Sequence, residues 1–152
     1  MSAALHMRPA TVHDLDMILY HRRRMFQDMG EPERASPERL EAFGIWVEAQ
    51  MAAGWFYTWL IEDDGRVVAG GSVRLMDAVP GYVGDVRPNA HILNVYTEPS
   101  YRRRGLARWL MQTMIDWSRD YGVQAITLKA SADGRALYES LGFVPTTDME
   151  LR

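Results

Sequence analysis

Three consecutive arginines, Arg102 to Arg104, are followed by Gly105, Ala107 and an apolar helical pattern. Cations at a helix start are unfavourable by a few tenths of a kcal/mol to about 1 kcal/mol each, because the macrodipole is positive there. An anionic partner removes the conflict. Successive backbone N–H groups at a helix start, with Gly105 and Ala107 leaving room for close approach, make a concave site suited to phosphate. A charge run taken alone is more often a solvated face, but this one lies directly between a buried strand pattern and an amphipathic helix. It is neither a nucleotide P-loop, lacking the Gly-Lys-Ser/Thr ending, nor a three-glycine dinucleotide fingerprint. His6, His13, His21 and His91 show no paired ligand spacing and no HExxH occurs, so no metal is expected. The absence of cysteine excludes thiolate nucleophiles and disulfides.

The elements that must position this stretch are marked by their own signals. "ALHMR" reads as a short first strand, followed by a helix that Thr11 and Asp14 cap and that carries Leu15, Ile18, Leu19, Met25, Phe26 and Met29 before Gly30. Ser36 and Pro37 open a second helix, with Leu40, Phe43, Trp46, Val47 and Met51 on one face until Gly54. "FYTWLIE" and "VVAGGSVRLM" form a hairpin around Asp64 and Gly65, and Gly70 and Gly71 within it suggest a bulge or close backbone approach. Residues 77–90 form a loop longer than usual. "HILNVYT" is then a buried strand, residues 105–121 a helix ended by Gly122, and "VQAITLK" a strand parallel and adjacent to the previous one. Gly142 and Phe143 read as a turn into a further strand, and "DMELR" as a final short one.

With 152 residues, 47% hydrophobic and 24% charged, the chain has the size of one mixed α/β domain spanning residues 1–152. A net charge of -3 argues against a general polyanion binder, so no nucleic-acid partner is expected. The N-terminal "MSAALHMRPA" lacks a basic region followed by a long apolar run, and no stretch of roughly 18 apolar residues occurs. The expected address is the cytoplasm, with no membrane contact.

Two blocks, "VYTEPSYRRRGLA" and "ASADGRALYESLGF", resemble the GCN5-related N-acetyltransferases, whose acyl-CoA signature is Arg or Gln, two residues, Gly, one residue, Gly or Ala. The resemblance implies a mostly antiparallel mixed sheet with one parallel, splayed strand pair and helices on both faces. It implies acetyl-CoA as co-substrate, its pyrophosphate held by Arg102, Arg103, Arg104, Gly105, Leu106 and Ala107, and its pantetheine arm by backbone of Val95 and Thr97. Ser131 stands where the family often has Asn, and Gly134 where it often has Ala; the Ser131 hydroxyl can still bond the pantetheine.

Tyr138 occupies the family's general-acid position, and a phenol with a pKa near 10 can give its proton to a departing thiolate. A tyrosine there can also serve packing alone. Counting back from Arg102 to the family's usual base position gives His91, a group that can take a proton from an ammonium directly or through water; a water chain is the alternative.

The expected activity is acetyl transfer from acetyl-CoA to a primary amine by direct attack in a ternary complex, without metal. The alternative is a non-catalytic acyl-CoA sensor. The acceptor, a small molecule or a peptide, stays open. Trp46, Trp55, Tyr57, Trp59 and Tyr82 could line its pocket, Tyr82 foremost, and Asp28, Glu31, Glu33 and Glu38 could attract a cationic amine. A homodimer is compatible with the resemblance, in which dimers are common.

Overall fold

A computed structural model describes residues 4–152. Its elements run β1 (Leu5–Pro9), α1 (Leu15–Asp28), α2 (Pro37–Ala53), β2 (Phe56–Asp63), β3 (Arg66–Met76), β4 (Asn89–Thr97), α3 (Leu106–Tyr121), β5 (Ile126–Leu128) and α4 (Arg135–Ser140). The caps act as the sequence suggests. Thr11 and Asp14 form a reciprocal capping box around a single 3-10 turn that leads into α1. Ser36 accepts from the Arg39 N–H at 3.3 Å, Pro37 begins α2, and Gly54 and Gly122 end α2 and α3.

The strands lie in the order β1-β2-β3-β4-β5, antiparallel except for the parallel pair β4 and β5. That pair is joined only where Ala90–Ile92 meet Ile126–Leu128. The expected strand over 123–129 therefore contracts to three residues, and from Leu93 onward β4 has no strand partner on that side. The sheet is thus the mixed, splayed architecture that the family resemblance implied.

A bulge breaks the ladder between β3 and β4: Gly70 pairs with Tyr96 and Ser72 with Leu93, leaving Asn94 and Val95 opposite Gly71. Asn94 takes a φ of 60°, and its Nδ2 donates to the Ile18 carbonyl of α1 at 3.1 Å. Neighbouring residues on a strand face opposite sides of the sheet. A Cβ on Gly70 would lie 2.9 Å from His21 Nδ1 of α1, and one on Gly71 would lie 2.8 Å from Met114 Cε of α3. The glycine pair lets a helix approach each face, so α1 and α3 sandwich the sheet. Bulge and close approach both apply.

The main core lies between the sheet and α3, where Leu110, Met111 and Met114 meet Val68, Val73 and Ile92. On the other face α2 brings Phe43 and Trp46 against Phe56. The strands expected after Gly142 do not form. Val144, Met149 and Leu151 remain 77%, 98% and 99% exposed, so the apolar alternation there has no sheet face to bury against. Pro145 also removes one ladder donor.

Candidate functional site

The gap between β4 and β5 opens into a cavity of about 820 Å³, within the range of small-molecule sites. Val95, Thr97, Arg102, Arg103, Gly105, Leu106, Ala107, Ser131, Tyr138 and His91 all line it. Arg104 does not. Its guanidinium lies 4.9 Å from the ring of Tyr101, outside the cavity.

At the Thr97 end, the backbone offers unpaired donors. Arg103 and Gly105 both adopt positive φ, 61° and 78°, left-handed backbone of the kind found in concavities lined by successive N–H groups. The N–H groups of Arg103, Arg104 and Gly105 bond no acceptor among the described residues, and those of Leu106 and Ala107 belong to the unpaired first turn of α3. Gly105 meets the conformational requirement, and a Cβ added to it would point into open space rather than into protein. Arg102 behaves differently from its neighbours. Its Nε donates to the Thr97 carbonyl at 2.9 Å and its Nη2 to Asp28 Oδ2 at 2.6 Å, which ties the end of β4 to α1. The guanidinium is thereby engaged by protein, as is the Thr97 carbonyl.

His91 and Tyr138 reach the cavity from different elements. Nδ1 of His91 lies 2.8 Å from Thr127 Oγ1 on β5, at the rung where the two strands are joined. Burial holds its pKa below 6.5, and the charges of Lys129 and Arg74 add to the effect. The imidazole is therefore neutral at pH 7. Tyr138 stands on α4 with its ring against Gly134, where a Cβ would come within 2.6 Å. The Ala that the family often carries at that position would displace this ring. Among the described residues the phenol has no hydrogen-bond partner, and burial raises its pKa above 10.0. Ser131 Oγ accepts from the Gly134 N–H at 3.1 Å, which shapes the turn before α4 and leaves its hydroxyl proton free to donate.

The His91 end has walls that sequence reasoning missed. Arg22 of α1 and Arg74 of β3 line it, above Phe26 of α1 and Phe43 and Trp46 of α2. One signal was available: Ile18, Arg22 and Phe26 recur every fourth residue, which puts an arginine on an otherwise buried stripe. Of the aromatic candidates only Trp46 lines this cavity. Trp55, Tyr57 and Trp59 pack on the core, and Tyr82, the foremost candidate, is 64% exposed on its loop and lies outside it. Nor is this wall acidic: Asp28 is paired with Arg102 and Glu31 with Arg34. Among the described residues no group of three or more His, Asp or Glu could hold a metal, and no helix is long and apolar enough to cross a membrane.

An antiparallel sheet ending in one parallel splayed pair, with a turn of unpaired N–H groups at the mouth of the splay, defines the class of fold, and comparison with known proteins agrees. Residues 16–143 match the model of the Acetyltransferase (GNAT) family, and the chain belongs to that family. A GCN5-related N-acetyltransferase from Ralstonia eutropha JMP134 superposes with a TM-score of 0.89 at 28% identity, over 97% of both chains. A predicted acetyltransferase of Clostridium acetobutylicum, solved with acetyl-CoA, gives 0.88 at 25% identity over 97% of this chain and 96% of its own. Among curated relatives, an L-amino acid N-acyltransferase of Escherichia coli is 32% identical over 111 residues, 68% of this chain and 59% of its own. Matches to the curated relatives span from about half to three fifths of those proteins' length.

Proposed function

We propose that the protein transfers an acetyl group from acetyl-CoA to a primary amine, by direct attack within a ternary complex. The observation that carries this reading is the continuity of one cavity from the unpaired N–H groups at the start of α3, along the unpaired edge of β4, to His91 and Tyr138. In this reading the N–H groups of Arg103 to Ala107 receive the pyrophosphate, and the free edge of β4 around Val95 pairs with the pantetheine amides. Ser131 donates to the same arm. Arg102 acts as a positioning residue, holding the turn against Thr97 and Asp28.

The chemical demands on the protein are two proton transfers. His91 accepts a proton from the acceptor ammonium, directly or through water, and its depressed pKa keeps it competent below pH 6.5. The same cationic surroundings, Arg74 and Lys129, favour the neutral amine that must attack. Tyr138 donates its proton to the departing CoA thiolate; its raised pKa keeps the phenol protonated across the neutral range. The bond formed is from amine nitrogen to acetyl carbon, and the bond broken is the thioester C–S bond.

The test is a thermal shift with acetyl-CoA against equal ATP, followed by a thiol-release assay over an amine panel. A selective rise of several degrees and amine-dependent CoA release are expected. Selective binding without release for any amine would assign the sensor role instead. In the active protein the acidic limb of kcat/KM should fall below pH 6.5, and His91→Gln should abolish that limb; an unchanged limb removes His91 as the base.

A further inference from the structure

We infer that the acceptor amine carries an oxyanion, a carboxylate or a phosphate, which Arg22 and Arg74 bind at the His91 end of the cavity; this rests on the transferase reading above. Among the described residues neither guanidinium has a carboxylate within ion-pair distance. Among the described residues the Arg22 guanidinium makes one long contact, 3.5 Å to Asn94 Oδ1, and that of Arg74 makes no hydrogen bond. Both instead lie over rings of α2: Arg22 is 4.0 Å from the centroid of Phe43 and Arg74 is 5.2 Å from that of Trp46. Those two centroids are 5.9 Å apart, so one aromatic pair of α2 backs both cations.

Half-burying a cation without a counter-ion is unfavourable unless something compensates. Burial and the nearby charge of Arg34 both lower the proton affinity of Arg22, the mark of a cation awaiting a negative partner. Ring contacts offset part of this cost. The rings also lock the flat faces, leaving the N–H edges for a planar or tetrahedral oxyanion. The phosphates of acetyl-CoA are not that partner. Arg74 pairs in register with His91, whereas the α3 turn follows Thr97, about 20 Å further along β4 at the usual rise per residue. An anion at Arg74 therefore belongs to the second substrate, whose amine then faces His91.

The experiment compares matched acceptors: L-phenylalanine with 2-phenylethylamine, and glucosamine 6-phosphate with glucosamine. The first pair reports a carboxylate, the second a phosphate. We expect the anionic member of at least one pair to be favoured about 10- to 100-fold in kcat/KM, the value of one to two charge-assisted contacts. Arg74→Gln and Arg22→Met should each reduce that ratio towards one while the Kd for acetyl-CoA stays within about twofold. Arg22→Met keeps much of the packing volume and so keeps the variant folded, and a purely structural arginine would leave the ratio intact whatever the change in Tm. Neutral amines used equally well, or a preference that survives both substitutions, overturns the inference.

Failure of the transferase reading is separable, because it shows as absent acetyl-CoA binding or as binding without CoA release for any amine. Calorimetry with N-acetyl-L-phenylalanine and N-acetylglucosamine 6-phosphate, which needs no turnover, then decides the anion site alone. Binding lost in the two arginine variants sustains the site, and no binding to the native protein overturns it.

Discussion

At the Thr97 end of β4, Arg102 and Arg104 are engaged by protein partners and the cavity is lined by bare backbone N–H groups. At the His91 end the pattern reverses: the backbone is paired, and Arg22 and Arg74 line the cavity without carboxylate partners. An anion read by backbone depends on chain conformation and tolerates loss of side chains. An anion read by side chains depends on two particular guanidiniums and on the rings that hold them. The first arrangement suits a ligand that never varies, and the second suits one that distinguishes family members.

The largest effect is expected between the two ends. Tyr138→Phe should lower kcat by about 10²- to 10⁴-fold at unchanged Kd for acetyl-CoA, measured by stopped-time thiol release; unchanged turnover would reduce Tyr138 to packing. The two walls should next differ in their response to acid. His21, in the buried face of α1 against Gly70, has no partner for Nε2 among the described residues, and burial lowers its pKa to about 4. Because the folded pKa is depressed, protonation favours unfolding: stability is full above pH 6.5 and falls as pH drops towards 4, by up to about 3 kcal/mol. Hydrogen exchange should show α1 opening before α3 in that window, and His21→Leu should flatten the pH dependence. Equal protection of both helices would deny the difference.

At the backbone-reading end, Gly105→Val should raise the acetyl-CoA Kd at least about tenfold, from a left-handed strain of about 1 to 2 kcal/mol together with a side chain in the mouth of the site. The smallest effect is the sharpest discriminator. Arg104→Ala, with its side chain outside the cavity, should change that Kd by no more than about threefold, consistent with a screened surface charge. A larger loss would mean that side chains, not backbone, read the phosphates.

The same contrast governs what the sequence makes legible. The Thr97 end is a local device: strand, turn and helix follow one another, so Gly105, the arginines and the following amphipathic pattern announce it within a few residues. The capped helices and the hairpin are likewise local and fall where their caps and turns predict. The His91 end is assembled from α1, α2 and β3, and nothing in "HRRRMF" distinguishes Arg22, which lines the cavity, from Arg23 and Arg24 beside it, which do not. Only the buried periodicity of Ile18 and Phe26 singles it out. The C-terminal alternation misleads for the opposite reason, since a strand pattern specifies a strand only where a sheet edge and a face to bury against are both within reach.

Five tryptophans occur in the chain, and among the described residues Trp46 is the one that lines the cavity. Its indole lies beneath the Arg74 guanidinium, so any ligand that draws that cation off the ring alters the electric field across the chromophore. On the inference drawn for Arg74, that indole is a built-in optical probe of acceptor arrival. Emission from Trp46, isolated by difference against a Trp46→Phe variant, separates occupancy of the acceptor end from occupancy of the donor end in a single cuvette.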